Sequence, residues 1–201
     1  MKANKIIGLT GTSGAGKSTV AALMADYGCA VIDADKLSRQ ALASGSHLIP
    51  FVKAAFGNNV LNSDGSINRK ELASLAFSSQ ENAKKLNEIV HPWVIYKTLE
   101  IIKWYREKQY ELIVLDAPLL FESSIDAICD YVVVVTAAKD VRVERIIKRD
   151  QITEDEALLR INAQQNDSFY RRKSDFTILG DSDSDNIKRS VKEVIDKIRN
   201  S

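Results

Sequence analysis

A glycine-rich octapeptide near the N-terminus constrains the fold of this chain more than any other feature. Residues 11–18 read Gly-Thr-Ser-Gly-Ala-Gly-Lys-Ser, which fits the pattern G-x-x-x-x-G-K-[ST]. An apolar run at residues 6–9 precedes it, and a helical pattern that ends at Gly28 follows it. This strand–loop–helix context is the one in which the pattern binds phosphate, so we predict a Walker A loop.

The residue types in this loop suit a nucleotide phosphate. Glycines let backbone N–H groups turn inward around phosphate oxygens, and the next helix points its positive N-terminus at the same anion. Lys17 is expected to reach the β- and γ-phosphates, and the Ser18 hydroxyl is expected to be a Mg²⁺ ligand. A glycine-rich turn without a ligand is the less favoured alternative. The predicted ATP-binding residues of the loop are Gly11, Gly14, Ala15, Gly16, Lys17, Ser18 and Thr19.

Short apolar runs alternate with helical patterns along the rest of the chain. Four continuous runs and a weaker fifth have strand length, at residues 6–9, 30–32, 112–115, 131–135 and 177–179. Strands that are apolar on both faces belong to buried parallel sheets. The sequence therefore predicts an α/β fold with five parallel strands and helices on both faces of the sheet.

Two of the connections are too long for simple crossovers. A crossover needs only about a dozen residues, whereas about eighty residues lie between the second and third strands and about forty between the fourth and fifth. The first connection, residues 34–111, carries several helical patterns, and His91-Pro92 is expected to mark a helix end. Insertions of this kind usually build substrate sites.

The overall charge and the cysteine content limit the class of protein. The 201 residues include 28 Lys and Arg against 27 Asp and Glu, a net charge of +1, which argues against a dedicated nucleic-acid binder. Cys29 and Cys129 match no metal-ligand spacing and are expected to be buried thiols. Because no signal peptide or membrane span fits, we expect a soluble, cytoplasmic protein.

Carboxylates follow two of the predicted strands. Asp33 and Asp35 end the second strand, and Asp116 ends the third. Ligands of open parallel sheets bind beyond the carboxyl ends of strands, so Asp33 is a candidate to accept a proton from an attacking hydroxyl. We expect Asp35 to be the N-cap of the next helix. Asp116 resembles a Walker B carboxylate facing Mg²⁺, and its alternative role is to cap the following turn.

Basic residues concentrate between the fourth and fifth strands. Arg142, Arg145, Lys148 and Arg149 recur at helical spacing, and Arg160 follows on a second helical pattern. Phosphoryl transfer needs cations near the γ-phosphate, so an arginine lid is the favoured interpretation. A solvated basic face is the alternative for any single residue. The guanine-specificity pattern Asn-Lys-x-Asp is absent, which argues against a GTPase switch.

Taken together and in this order, these motifs resemble those of the dephospho-CoA kinase family. The most specific segments are Asp33-Ala34-Asp35, His91-Pro92 and residues 118–122, Pro-Leu-Leu-Phe-Glu. The resemblance implies a P-loop fold with strand order 2-3-1-4-5. It also implies transfer of the γ-phosphoryl group of ATP, with Mg²⁺, to the 3′-hydroxyl of the dephospho-CoA ribose. Residues 34–111 would be a helical CoA-binding insertion and 142–173 a lid, with 1–33, 112–141 and 174–201 as the core.

The same resemblance assigns roles to individual residues. Asp33 would activate the hydroxyl, and Lys17 and Arg145 would be the other catalytic residues; Arg145 and Arg149 would also hold ATP. Ser18 and Asp116 would be the metal ligands. The implied partners are the two small-molecule substrates, without nucleic acid or membrane, for a monomer or weak homo-oligomer. The implied acceptor-binding residues are Asp33, Asp35, His91, Pro118, Leu119, Leu120, Phe121 and Arg160.

Two segments depart from the usual family sequence. Thr12-Ser13 stand where Gly-Ile is common, and Leu179-Gly180-Asp181 stand where an Asn and a Gly near the adenine are usual. Two other functions are also compatible with a Walker A loop. One is a kinase for a nucleoside monophosphate or another small metabolite, and the other is a non-catalytic module that holds ATP without transferring phosphate.

Overall fold

Five parallel strands form one sheet in the computed structural model, which describes residues 4–201. The strands are β1 (Lys5–Gly11), β2 (Ala30–Asp33), β3 (Leu112–Asp116), β4 (Tyr131–Thr136) and β5 (Phe176–Leu179). Their order is β2-β3-β1-β4-β5, and every adjacent pair is parallel. The predicted strand positions and the predicted order are both confirmed.

Helices occupy most of the remaining described chain. They are α1 (Lys17–Asp26), α2 (Ala34–Ala41), α3 (Ile49–Phe56), α4 (Arg69–Ala76), α5 (Gln80–Glu107), α6 (Lys139–Asp150), α7 (Glu154–Asn162), α8 (Asp167–Arg172) and α9 (Ser184–Asn200). Among residues 4–201, none of these helices combines the length and apolar character that a membrane crossing would require.

The sheet is buried on both faces. Ile7 and Leu9 of β1 belong to a core that includes Val20 of α1 and Val191 of α9. Ile113, which alternates with the residues of that core along β3, is also fully buried, so the opposite face is covered as well. Burial on both faces explains why the strands read as continuous apolar runs.

The described residues divide into two compact units. The first consists of the described residues up to Asp33 together with Ile102–Ser201, and it contains the whole sheet. The second is Ala34–Ile101, which is helical. The second unit has its own apolar core, formed by Val52, Val60, Ile67 and Leu72.

The expectation that His91-Pro92 marks a helix end is wrong. Pro92 lies inside α5, which continues without interruption to Glu107. Proline removes one backbone hydrogen bond, at a cost of about 3 kcal/mol in a helix interior. Val90, Val94 and Thr98 recur every four residues and are all more than nine-tenths buried. Packing of this stripe offsets the lost hydrogen bond, which a local sequence signal does not register.

Both cysteines are free thiols with little exposure. Cys29 is buried in the sheet core, and Cys129 is half-buried. Burial raises the pKa of Cys29 to about 11 and that of Cys129 to about 12. Both side chains are therefore neutral at pH 7 and act as small apolar groups.

Candidate active site

The Walker A loop runs from the end of β1 to the start of α1, and two of its glycines have left-handed backbone. Gly14 and Gly16 have φ angles of 80° and 96°, in the left-handed region. A Cβ atom at Gly14 would also lie 2.7 Å from the backbone oxygen of Arg142. Inside the loop, the Ala15 N–H donates to the Thr12 carbonyl at 3.0 Å. The chain thus makes a tight turn that presents the N-terminus of α1 to an anion.

Lys17 and Asp116 form an ion pair beside this loop. Lys17 is the first residue of α1 and Asp116 is the last residue of β3. The Lys17 ammonium bonds to Oδ1 of Asp116, and only 16% of the lysine side chain and 13% of the aspartate side chain are exposed. A cation in this position can exchange the carboxylate for a phosphate oxygen and keep an anionic partner.

Asp33 lies directly beside Asp116 in the sheet. The two residues are paired partners in the adjacent parallel strands β2 and β3. Neighbouring strands are about 4.8 Å apart, and paired residues direct their side chains to the same face. Asp33 is exposed and Asp116 is half-buried. Two carboxylates and one ammonium group therefore meet at the carboxyl edge of the sheet, where open α/β sheets bind ligands.

Two arginines of α6 bind the Walker A loop itself. Arg142 is 6% exposed, and its Nε–H donates to the Ser13 carbonyl at 3.1 Å. Arg145 donates to the Gly14 carbonyl at 3.2 Å and to the Gly180 carbonyl at 3.0 Å. Arg142 is thus engaged by the loop backbone and is neither a free lid cation over the γ-phosphate nor part of a solvated basic face.

The remaining predicted lid arginines form a separate cluster. Arg149 donates two hydrogen bonds to Asp150, at 2.7 and 2.8 Å, and Arg160 of α7 bonds to the same carboxylate. The arginine bonds hold the pKa of Asp150 below its ordinary value. Among the bonds of the described residues, Arg149 and Arg160 contact the Asp150 carboxylate and not the Walker A loop.

The predicted acceptor segment, residues 118–121, divides into buried and exposed positions. Leu120 is fully buried, and the Phe121 ring packs edge-to-face against Phe169 at 5.8 Å between ring centroids. Leu119 is 48% exposed, and the Pro118 carbonyl accepts a hydrogen bond from the Thr10 hydroxyl at 3.3 Å. The buried pair fixes the segment, and the other two residues remain available for contact.

Asp35 and His91 lie in the helical unit. The expectation that Asp35 is an N-cap is wrong, because α2 begins at Ala34 and Asp35 is in its first turn. No intervening residue separates β2 from α2, so Asp35 is already helical. Its negative charge is stabilised there by the positive N-terminal end of the helix dipole. His91 is a half-buried residue of α5, and burial lowers its pKa.

The helical unit also contains a cavity of about 390 Å³. Its lining is mainly apolar and aromatic, with one lysine and one histidine. The lining residues are His47, Leu48, Ile89, Pro92, Trp93, Tyr96 and Lys97.

Sequence reasoning missed the role of three residues in holding the loop. Gln164 accepts a hydrogen bond from the Ser13 N–H at 2.8 Å, and Asp167 accepts one from Arg142 at 3.2 Å. Gly180 packs so closely on the loop that a Cβ atom there would overlap the Ala15 carbonyl oxygen. The acceptor oxygen of Gln164 and the missing side chain of Gly180 gave no spacing signal, because each acts on a residue far away in the sequence.

Comparison with known proteins identifies the family. The model of the family described as dephospho-CoA kinase matches residues 5–186. The chain belongs to the dephospho-CoA kinase family. It is therefore a kinase, and strand order and loop geometry agree with the P-loop fold of that family.

Relatives from distant organisms share most of the chain. A dephospho-CoA kinase from Corynebacterium diphtheriae is 37% identical over 94% of this chain and 95% of its own length. One from Listeria monocytogenes is 35% identical over 94% of both chains. A dephospho-CoA kinase from Saccharomyces cerevisiae is 33% identical over 96% of this chain and 83% of its own length.

Solved structures agree on the fold. A crystal structure from Thermus thermophilus, 29% identical, superposes with a TM-score of 0.86 over 98% of both chains. A dephospho-CoA kinase from Campylobacter jejuni gives 0.63 at 24% identity, over 98% of this chain and 99% of its own. A shikimate kinase from Bacteroides thetaiotaomicron gives 0.56 at 16% identity, over 98% and 99%, which is a likeness of fold alone.

Proposed function

We propose that this chain transfers the γ-phosphoryl group of ATP to the 3′-hydroxyl of the dephospho-CoA ribose, which yields coenzyme A and ADP. The observation that carries the proposal is the meeting of Lys17, Asp33 and Asp116 at the carboxyl edge of the sheet, beside the Walker A loop. Membership of the dephospho-CoA kinase family supports the choice of acceptor.

The loop and three cations bind ATP in this proposal. The phosphate oxygens accept hydrogen bonds from the N–H groups at the turn and at the start of α1. Lys17 exchanges Asp116 for a phosphate oxygen. Arg145 sits on the rim of the loop with two of its five N–H donors occupied by carbonyls, which leaves the others for a phosphate. Arg149, whose side chain is 59% exposed, joins them by leaving its partner Asp150.

Asp33 acts as the general base. The acceptor oxygen forms a bond to the γ-phosphorus while the bond from that phosphorus to the β–γ bridging oxygen breaks. The hydroxyl proton passes to the Asp33 carboxylate, and ADP leaves with the bridging oxygen. Exposure of Asp33 leaves room for a ribose hydroxyl to approach.

The donor set at this edge fits Mg²⁺. Within residues 4–201, no group of three or more His, Cys, Asp or Glu side chains could hold a metal ion alone. Mg²⁺ is usually held by one or two carboxylates together with substrate phosphates, and Ser18 and Asp116 are oxygen donors of that kind. When bound, the ion would neutralise charge on the β- and γ-phosphates.

In this proposal the acceptor contacts the residues that the family resemblance implies. The exposed face of Leu119 and Pro118 contacts it in the sheet unit, where Arg160 offers a cation to its phosphates. In the helical unit, Asp35 and His91 are the proposed acceptor-binding residues. Residues 34–111 act as the CoA-binding insertion, and residues 142–173 act as the lid. The free thiols of Cys29 and Cys129 agree with a reducing compartment, and the cytoplasm is the proposed place of action.

A coupled assay of ADP release tests the proposed acceptor. We expect turnover with ATP and dephospho-CoA, and much slower turnover with nucleoside monophosphates, shikimate or simple alcohols. The proposal fails if dephospho-CoA gives no ADP while one of the other acceptors is phosphorylated.

A further inference from the structure

Two side chains hold both polar groups of the Ser13 backbone. The Ser13 carbonyl accepts from Nε of Arg142 at 3.1 Å, and the Ser13 N–H donates to Oε1 of Gln164 at 2.8 Å. Arg142 comes from α6, and Gln164 lies between α7 and α8. Two separate points of the 142–173 segment therefore form hydrogen bonds with the backbone of the Walker A loop at Ser13.

The surroundings of Arg142 suit a side chain that holds the loop and does not contact a substrate. The residue is more than nine-tenths buried, and its Nη1 is engaged by Asp167 at 3.2 Å. Burial lowers the pKa of Arg142, while the adjacent Asp167 carboxylate favours the charged form. A buried cation already paired with a carboxylate and a carbonyl has little to gain from a phosphate.

The geometry of the peptide bond links Arg142 to the phosphate site. In a trans peptide, the carbonyl of one residue and the N–H of the next point in opposite directions. Because Arg142 draws the Ser13 carbonyl toward α6, the Gly14 N–H of the same peptide is directed away from α6. Gly14 itself packs against the α6 backbone, since a Cβ atom there would meet the Arg142 carbonyl oxygen at 2.7 Å. The peptide therefore has little freedom to flip.

The two anchors belong to one packed body. Ile146 of α6 packs with Ala157 and Ile161 of α7 in a separate apolar cluster. This cluster connects the helix that carries Arg142 to the helix that precedes Gln164. The positions of the two side chains that bind Ser13 are therefore fixed relative to each other.

We propose that Arg142 and Gln164 are positioning residues of the Walker A loop. Arg142 presets the Ser13–Gly14 peptide and Gln164 the preceding Thr12–Ser13 peptide for nucleotide binding, and neither touches the nucleotide. The inference rests on the proposed function only in that the loop binds ATP. Preorganisation of this kind improves affinity because the loop need not be ordered when the ligand arrives. It affects the ground state and the transition state equally, so it acts on KM and not on kcat.

The test compares Arg142→Met and Gln164→Leu with wild type, by steady-state kinetics and by calorimetric titration with ATP. We expect KM and Kd for ATP to rise about tenfold in each variant, the size of one or two net hydrogen bonds, while kcat stays within about twofold. Arg189→Met, the same change on the exposed face of α9, is the matched control and should leave both constants unchanged.

Rescue by a conservative variant separates positioning from packing. Gln164→Glu keeps an acceptor oxygen at the same distance and should recover most of the affinity that Gln164→Leu loses. Because Gln164 is half-buried and uncharged, this pair carries the test even if Arg142→Met does not fold.

Three results would overturn the inference. One is a loss of turnover rate by about two orders of magnitude at constant KM, which would place a side chain on the transferred phosphoryl group. Another is wild-type affinity for ATP in both variants, and the third is a Gln164→Glu variant as weak as Gln164→Leu. Titration with ATP needs no acceptor, so it is informative even if wild type does not phosphorylate dephospho-CoA.

Discussion

Gly180→Ala offers a severe test of how the Walker A loop is supported. Gly180 follows β5, its N–H donates to the Thr136 carbonyl at 2.8 Å, and its carbonyl accepts from Arg145 at 3.0 Å. An added methyl group would overlap the Ala15 carbonyl oxygen and lie 3.0 Å from a methyl carbon of Val135. The obstacle on the loop side is backbone, so no side-chain rotation relieves the overlap.

The size of the effect follows from the distance that the two segments must part. Restoring a normal van der Waals separation requires a shift of roughly 1.5 Å between the end of β5 and the Walker A loop. Overpacking of this kind costs about 1–3 kcal/mol of stability. A displacement of about 1 Å at a phosphate site can reduce activity about 100-fold. We therefore expect Gly180→Ala to fold with reduced stability and to lose about two orders of magnitude in kcat/KM for ATP.

Gly65→Ala is the matched control. Gly65 has a φ of 80°, and nothing lies within 4 Å of its added Cβ atom, so the change costs about 1 kcal/mol of backbone strain without displacing a neighbour. Chemical denaturation and calorimetric titration with ATP are measured on both variants. Gly65→Ala should lose stability and keep its ATP affinity. Wild-type ATP affinity in Gly180→Ala would refute the claim that this glycine sets the position of the loop.

Three further predictions concern the site and the helical unit. Asp33→Asn should slow turnover by roughly 10²–10⁴ and spare ATP affinity, because only the proton acceptor is lost; turnover within about tenfold of wild type would contradict its role as the base. Lys17→Ala should weaken ATP binding in calorimetry and reduce turnover together, since the loop loses its phosphate cation, and preserved turnover would contradict that assignment. Burial lowers the pKa of His91 below its ordinary value of 6.5, so the unfolded chain binds the proton more readily. Stability should therefore fall as the pH drops from 6.5 through the folded pKa, and urea denaturation at pH 7.5 and 5.0 should show a smaller loss in His91→Gln than in wild type.

The sheet and the loop could be predicted from sequence because their signals are local. The run at residues 131–135 is apolar at every position, as a strand covered on both faces must be. The Walker A loop is similarly encoded in eight consecutive residues, two of whose glycines adopt left-handed φ angles. Neither inference depends on contacts between distant parts of the chain.

The roles of the basic residues could not be predicted in the same way. Arg142 and Arg149 belong to the same helical repeat on α6, but Arg142 is buried and Arg149 is exposed. The difference arises because Arg142 meets the Ser13 carbonyl, 129 residues away in sequence, and Asp167, 25 residues away. Helical periodicity indicates which residues share a face but not what lies opposite that face.

The arrangement of the candidate site at the carboxyl edge of the sheet was only partly predictable. Asp33 and Asp116 each follow an apolar run, so their place at the carboxyl ends of strands was accessible from sequence. Their pairing in adjacent strands and the bond from Lys17 to Asp116 depend on strand order, which came from the family resemblance and not from the residues themselves.

The position of the transferred phosphate on the product decides whether this chain has the proposed function. Purified enzyme is incubated with ATP, Mg²⁺ and dephospho-CoA, and the product is examined by phosphorus NMR and mass spectrometry alongside the release of ADP. The proposed function predicts one coenzyme A, phosphorylated at the 3′-hydroxyl of the ribose, for each ADP formed, with the rate of both products reduced by Asp33→Asn. ADP release without coenzyme A, or a phosphate on any other hydroxyl, would contradict it.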